Sequence, residues 1–470
     1  MQSKLCKTCS QNFVVTDDDL NFYKKISPTF NNKFYQIPSP NICPHCRTIR
    51  RLTYRNENKL YRRKSDLTGI DMISVFRPNS PYKIYTKDEW WSDKWDPMDY
   101  GQNPDPNKSF FDQFHELLLK VPRPPLINNK AENSEYCNFA DGNKNSYMIT
   151  SANRNQDCYY GFLMVENRDC MDCLWCTKCE LLYECIDCQN CYNLSYSQLC
   201  ENCVDSSFLY NCKSLNNCLF CVNLKNTRFN IANKQVTKEE YEKVLAELRD
   251  PKFAIEKFEQ IKLKFPIRKA NNFISCENVT GENIFHSKNI RQGFDVYSSR
   301  DSAYLHDGLK ATDCHDICFF DGTELCYEST SLIGYGYRFT NFCRDSYNLF
   351  YCDNCHSCKN LFACAGLRKK EYCIFNKQYS KEDYERTAAG IVEQMMKAPR
   401  EPSQPLHAQS SVPPIDPVES HSSQTQDATP PAPSHAQAGE WGEFFPAEKS
   451  LFPFEDTLAK EYSTTNPLKR

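Results

Sequence analysis

The sequence predicts a mostly β chain: an N-terminal zinc ribbon, then a duplicated, narrow, right-handed β-solenoid with helical caps and a disordered C-terminal tail. Three observations carry that expectation. Two Cys-x2-Cys pairs stand near the N-terminus. Between residues 170 and 224 every cysteine falls on one phase of a three-residue repeat. A stretch of 23 residues recurs 143 positions later.

The bulk numbers fit such a chain. Its 470 residues allow two or three domains. A net charge of −3 exerts no global pull toward nucleic acid or membrane, so any such affinity must be local. No apolar run is long enough to span a bilayer, and Met1–Cys6 carries no apolar signal core, which points to the cytoplasm. There, 28 cysteines mean thiols or metal ligands and not a disulfide framework. The expected order is a zinc ribbon with a basic extension (1–65), a small α+β linker segment (66–135), a first solenoid segment (136–236), a helical insert (237–266), a second solenoid segment (267–378), a capping helix (379–398), a disordered linker (399–437) and an aromatic-acidic tail peptide (438–470).

Cys6, Cys9, Cys43 and Cys46 form two knuckles separated by 33 residues. Each knuckle aims two thiolates at one tetrahedral ion, and two knuckles close its coordination, so one structural zinc is expected. Zinc supplies about 10–16 kcal/mol to such small segments, and metal and fold come together.

Residues 47–64 follow with Arg47, Arg50, Arg51, Arg55, Lys59, Arg62, Arg63 and Lys64 opposed by Glu57 alone, a local charge of +7. With Tyr54 and Tyr61 interleaved, this suits a phosphate backbone with base stacking, RNA before DNA because no base-reading motif appears. Charge runs are more often a solvated helix face that balances acid elsewhere, and that reading stands ahead of it. Farther on, Trp90, Trp91 and Trp95 suit the core of a small α+β segment better than a docking surface. An apolar helix is expected from Phe110 to Val121, closed by Pro122.

Twelve cysteines, from Cys170 to Cys221, share the triplet phase with Leu and Ser, while Trp175, Tyr192 and Phe220 lie off it. A period of three fits neither helix nor ordinary strand. It fits a coil with short sides, each holding one inward, one outward and one corner residue. The position before each inward residue is Asn or Asp at ten of nineteen places, as corners require. Cysteine is then a small buried hydrophobe. Leu219, off the phase, should accept a larger side chain without cost. Near the end, Cys343, Ser346, Leu349 and Cys352 are matched twelve residues later by Cys355, Cys358, Leu361 and Cys364. In pattern this resembles the solenoid of an insect antifreeze protein, without the regular Thr-x-Thr face that would bind ice.

The larger duplication aligns 221–243 with 364–386. Each copy runs through Asn-Lys-Gln into a helix, with Thr237 and Ser380 as N-caps and Glu240 and Asp383 completing capping boxes. Tyr241, Val244, Leu245 and Leu248 form one apolar stripe; Tyr384, Ala388, Ile391 and Met395 form the other. Both are expected to act as lids on solenoid ends, with a second helix between Pro251 and Phe265. The Pro- and Ser-rich 399–437 should be disordered, tethering a docking peptide around GEWGEFFP for this chain or another.

With the ribbon, WWSDKWDP, the triplets, both Asn-Lys-Gln helices and the tail in view, nearly the whole chain resembles an uncharacterised Cys-rich family of small-genome, host-dependent bacteria. That family has an N-terminal zinc ribbon and a triplet-repeat solenoid, and it brings no established activity.

Catalytic patterns are weak. Cys170, Cys173, Cys176 and Cys179 lack the wider last gap and the Pro of a ferredoxin run. Asp313-Cys314-His315-Asp316, near Cys318, His286, His306 and Asp307, offers a Cys–His pair. In a solenoid, though, Asp-Cys is the corner–inward dipeptide, and His315 is expected to face solvent. No nucleotide-binding signature or small-molecule substrate emerges. The sequence therefore points to a non-enzymatic, zinc-containing scaffold with an unknown protein partner. Association with RNA or the ribosome through 47–64 is one alternative, and a redox or multi-metal thiol protein another.

Overall fold

A period of three becomes possible when one residue in three takes a left-handed backbone. The computed structural model describes residues 1–248, 250–266, 272–397 and 439–464. In it, every third residue from Asn145 to Ala232 has φ between 46° and 58°. Four such corners bring the chain back after twelve residues, so Tyr192 pairs with Val204, and Leu349 with Leu361, in parallel register. Asn and Asp fill many corners, but Trp175, Lys178 and Leu181 adopt the same φ. Their strain is opposed by ladder bonds: the Trp175 and Lys178 N–H groups donate to Phe162 O and Val165 O at 3.0 and 2.9 Å.

The corner geometry also accounts for the cysteines. Along much of the coil the N–H of an inward residue points into the interior, away from neighbouring carbonyls, and needs a side-chain acceptor there. The residue one coil earlier supplies it. Cys191 N–H donates to Cys179 Sγ (3.4 Å), Cys179 N–H to Asn167 Oδ1 (2.9 Å), Leu209 N–H to Ser197 Oγ (3.1 Å) and Cys326 N–H to Cys314 Sγ (3.4 Å). Cysteine, serine and asparagine are small residues that fill a thin interior and accept a hydrogen bond. A buried column of Asn143, Asn155 and Asn167 plays this part before the cysteines take over.

The helices are α1 (Asp17–Ile26), α2 (Pro44–Leu52), α3 (Lys87–Trp91), α4 (Phe110–Lys120), α5 (Lys238–Glu247), α6 (Pro251–Lys262), α7 (Lys381–Lys397) and α8 (Leu458–Thr464). None of the described helices is long and apolar enough to cross a membrane.

The chain divides into two units. The first comprises Met1–Arg55, Asp96–Val121 and the chain from Phe273; the second comprises Asn56–Trp95 and Pro122–Asn272. The basic segment and the 66–135 linker are thus split between them, where the sequence suggested boundaries at 65 and 135.

In the second unit, parallel pairing begins at Asn128–Asn129, inside the expected linker. Asn128 and Ser134 continue the inward phase without a cysteine to signal it. The hairpin Tyr61–Lys64/Asp71–Ser74 and α3 belong to this unit. Trp90 and Trp95 are core residues, their indole N–H groups donating to Pro122 O and Trp90 O, while Trp91 is exposed. Helices α5 and α6 lie along the flank of the last coils, burying Phe208, Leu219, Phe220 and Val222. Leu219 is therefore a core residue despite its phase, because a helix covers that outward face. The ladder edge itself is closed by the Asn-Lys-Gln turn: Asn233 binds Val222 N–H and O, both at 2.8 Å, and Gln235 donates to Arg228 O.

The first unit repeats this device. Asn376 binds Ala365 N–H and O at 2.8 Å, and Gln378 donates to Glu371 O. Its parallel sheet runs from Phe273–Ile274 to Glu371–Ile374. Outside it pack α1, α2, α4, α7 and the tail. Expected as a docking peptide, the tail docks here in cis: Glu440 N–H donates to Met395 O (2.8 Å) and its carboxylate takes Ser109 Oγ and Phe110 N–H at the start of α4. Trp441, Phe444 and Phe445 are buried against Tyr351, Tyr54 and Phe114. The linker expected to be disordered lies outside the described residues.

Candidate metal centre

Strands Gln2–Leu5 and Asn12–Val15 form an antiparallel hairpin whose turn holds the first knuckle. Ser10 takes φ 57°, and its N–H closes back on Cys6 O at 2.9 Å. The second knuckle opens α2, with Cys43 as N-cap, Pro44 in the first turn and Cys46 within it. The Cys43 N–H donates to Cys6 Sγ at 3.2 Å, which ties hairpin to helix.

All four sulfurs lie within 4.8 Å of one another. A tetrahedral thiolate site with metal–sulfur bonds of about 2.3 Å has sulfur–sulfur edges of roughly 3.8 Å. The Cys9 and Cys43 sulfurs stand 3.8 Å apart. Hydrogen bonds, chiefly with the Cys46 thiol, pull the Cys43 thiol well below its ordinary value, which favours the thiolate a metal ion needs. Among the described residues, no other group of three or more Cys, His, Asp or Glu converges in this way. The four cysteines named by their spacing are brought together and can hold one metal ion.

No family model matches the chain, and a search of curated proteins finds no match either. The chemistry of the site must be read from its residues and their surroundings.

Those surroundings redirect the basic segment. Arg47, Arg50 and Arg51 stand at i, i+3 and i+4 on one face of α2, and that face is buried in the first unit. Arg47 makes a two-pronged bond to Asp316 (2.9 and 2.8 Å), Arg50 pairs with Glu443 (2.8 Å) and Glu328 (3.3 Å), and Arg51 pairs with Glu328 (3.3 Å). Three arginines thus meet three carboxylates, the third supplied by the tail. Arg55 is buried with its guanidinium 3.6 Å from the Phe319 ring, and Arg63 is buried against Asp66 at 2.8 Å. Five of the eight residues expected to face phosphate or solvent are therefore inside; Lys59, Arg62 and Lys64 remain exposed, with Lys64 paired to Asp71 at 3.4 Å. Sequence reading named Asp316 only within the weak Cys–His pattern and did not single out Glu328. They occupy one solenoid corner, twelve residues apart, with φ 55° and 45°, a signal visible only once the coil register is known.

His315 departs from its expected place as well. It is buried, stacked on Phe22 at 3.8 Å with Nδ1 3.4 Å from Asp19, because α1 covers that outward position. Burial pulls its pKa down. The neighbouring Cys314 points inward, as its corner–inward position implies.

Proposed function

We propose that the protein is a non-enzymatic scaffold that carries one structural zinc and binds its partner on a solenoid surface. One observation carries this reading: outside the Cys6 cluster the cysteines, Cys318 beside Arg51 excepted, serve as interior packing and hydrogen-bonding groups. The Cys170, Cys185 and Cys352 sulfurs lie 3.2, 3.4 and 3.3 Å from the carbonyl oxygens of Arg168, Tyr183 and Phe350, which accept from thiol S–H groups. Burial pushes thiols such as Cys137 and Cys212 up, to about 11 and about 12, whereas hydrogen bonds, chiefly with Cys170, pull Cys173 down within the same ladder.

Four thiolates from two Cys-x2-Cys knuckles favour zinc and leave no coordination position open, which makes the ion structural. Its work is to hold α2, and so the buried arginines, against the second solenoid. The free thiols suit a reducing compartment, and we place the protein in the cytoplasm of a bacterium on that ground and on the family resemblance.

Elemental analysis of anaerobically purified protein tests the reading. One zinc per chain, lost in a Cys6→Ser/Cys9→Ser variant, is expected. Three or more metal atoms that survive the substitution would replace the scaffold with a metal-storage or redox protein.

A further inference from the structure

The exposed remainder of the basic segment lies beside tyrosines. Within the second unit, Lys59, Tyr61 and Arg62 on the hairpin line an open groove with Tyr136, Tyr147 and Met148 at the start of the first solenoid. Its volume, about 460 Å³, falls in the range of ligand sites, roughly 300–1,000 Å³. No carboxylate lines it. A third cation stands close: Arg77 donates its Nε–H to Tyr61 Oη at 3.4 Å. The Tyr136 and Tyr147 rings are 4.9 Å apart, and Tyr160 meets Tyr147 edge-on at 5.7 Å.

From this groove a column runs along the solenoid. Tyr147 pairs with Tyr159, Tyr159 with Met171 and Met171 with Tyr183, one side chain per coil at about 4.8 Å spacing. All four are 38–41% exposed. A column of aromatic rings on the second solenoid, Tyr327, Phe339 and Tyr351, is 0% exposed. Left uncovered, the first column presents its tyrosine faces next to the exposed Lys59 and Arg62.

We propose that this groove and column bind single-stranded RNA. Lys59 and Arg62 supply phosphate contacts, and the tyrosine faces supply base stacking that tolerates any sequence. A peptide adding as a β-strand finds no free donors here, because the Tyr159 and Met171 N–H groups already bond to Cys170 O and Leu182 O in the next coil. The chain's own acidic, aromatic tail is docked elsewhere, in the first unit.

The proposal rests on the solenoid being a binding face, and its test is separate from the metal count. Fluorescence anisotropy of a labelled single-stranded oligouridine twelve-mer, with full-length zinc-loaded protein, should show saturable binding that weakens steeply with salt. Lys59→Gln with Arg62→Gln should lower the log–log salt slope by about 1.4, two contacts at roughly 0.7 each. Tyr147→Ala should weaken binding about 5- to 150-fold at unchanged slope. Arg154→Gln with Lys178→Gln, exposed cations elsewhere on the same solenoid, should alter neither. Thermal melts and zinc content confirm that each variant is folded. Absence of saturable binding at low salt, or an unchanged slope in the Lys59/Arg62 variant, would overturn the RNA site. Binding of an acidic aromatic peptide where the RNA fails would reassign the groove to a protein partner. One zinc per chain together with no RNA binding would sink the groove and leave the scaffold standing.

Discussion

The two solenoids share a coil and differ in what covers it. Inside, both use the same device, a Cys, Ser or Asn side chain that accepts an inward N–H from the next coil. Outside they diverge. On the first, charged side chains pair along the coils in solvent, as Arg154 does with Glu166 (2.6 Å) and Lys213 with Glu201 (2.7 Å). On the second, Tyr327, Phe339 and Tyr351 are sealed beneath added helices and the tail, and the charges nearby form a buried network. Backbone repetition governs the interior; the exterior is governed by whatever else the chain brings to it.

Removing the metal should separate the two most strongly. The zinc proposed for the four-cysteine site would contribute on the order of 10 kcal/mol, and its loss should be felt first in α2 and the second solenoid. In a Cys6→Ser/Cys9→Ser variant, hydrogen exchange should accelerate in Pro44–Leu52 and Tyr327–Arg338, with Val204–Tyr210 of the first solenoid still protected. Equal loss in both would break the contrast.

Charge removal comes next. Glu443→Gln leaves Arg50 short of a partner in a buried site and should cost about 3–5 kcal/mol. Glu166→Gln, on an exposed pair, should cost less than about 1 kcal/mol. Denaturant melts compare them directly, and similar values would mean that the network around Arg50 is hydrated.

The interiors should behave alike. Cys179→Val and Cys314→Val each strand the N–H of the residue one coil on, Cys191 and Cys326, at about 1–3 kcal/mol. Serine at either site keeps an acceptor and should be milder. If valine is harmless in one solenoid only, the shared hydrogen-bond rule fails.

The last contrast is with pH. His356 stands between Arg344 and Arg368 in adjacent coils, and burial, then these arginines, hold its pKa down at about 3. Its unfolded value is near 6.5, so the folded state binds fewer protons between the two. The contribution is complete above about pH 6.5 and is lost as pH falls toward 3. The first solenoid contains no histidine. Melting temperature should fall between about pH 6 and pH 4, and His356→Gln should flatten that decline; an unchanged decline would exclude His356 as its source.

What could be read from the chain was local. Cys-x2-Cys spacing marks a metal site because two thiolates three residues apart reach one ion. The triplet phase marks the coil because each corner is set by a single residue. Asn-Lys-Gln was visible as a repeat, although its work as an edge clamp needed the neighbouring coil. The seven-unit excess of charge between Arg47 and Lys64 was visible too, and its setting was not: helix periodicity puts Arg47, Arg50 and Arg51 on one face without saying what meets that face. The same holds for His315, whose outward position was correct and whose burial depended on Phe22 from α1.

By itself the sequence determined the knuckles, the corner–inward–outward order of the coils and the capped helices, because each is settled by hydrogen bonds and backbone angles within one turn, knuckle or coil. Tertiary structure alone decided which outward faces were covered, that the tail closes on its own chain, and that the arginines lie inside. Arg47 meets Asp316 across 269 positions and Arg50 meets Glu443 across 393. Burial of such charges is favourable only when all partners arrive together, a condition set by three-dimensional packing that no local pattern encodes.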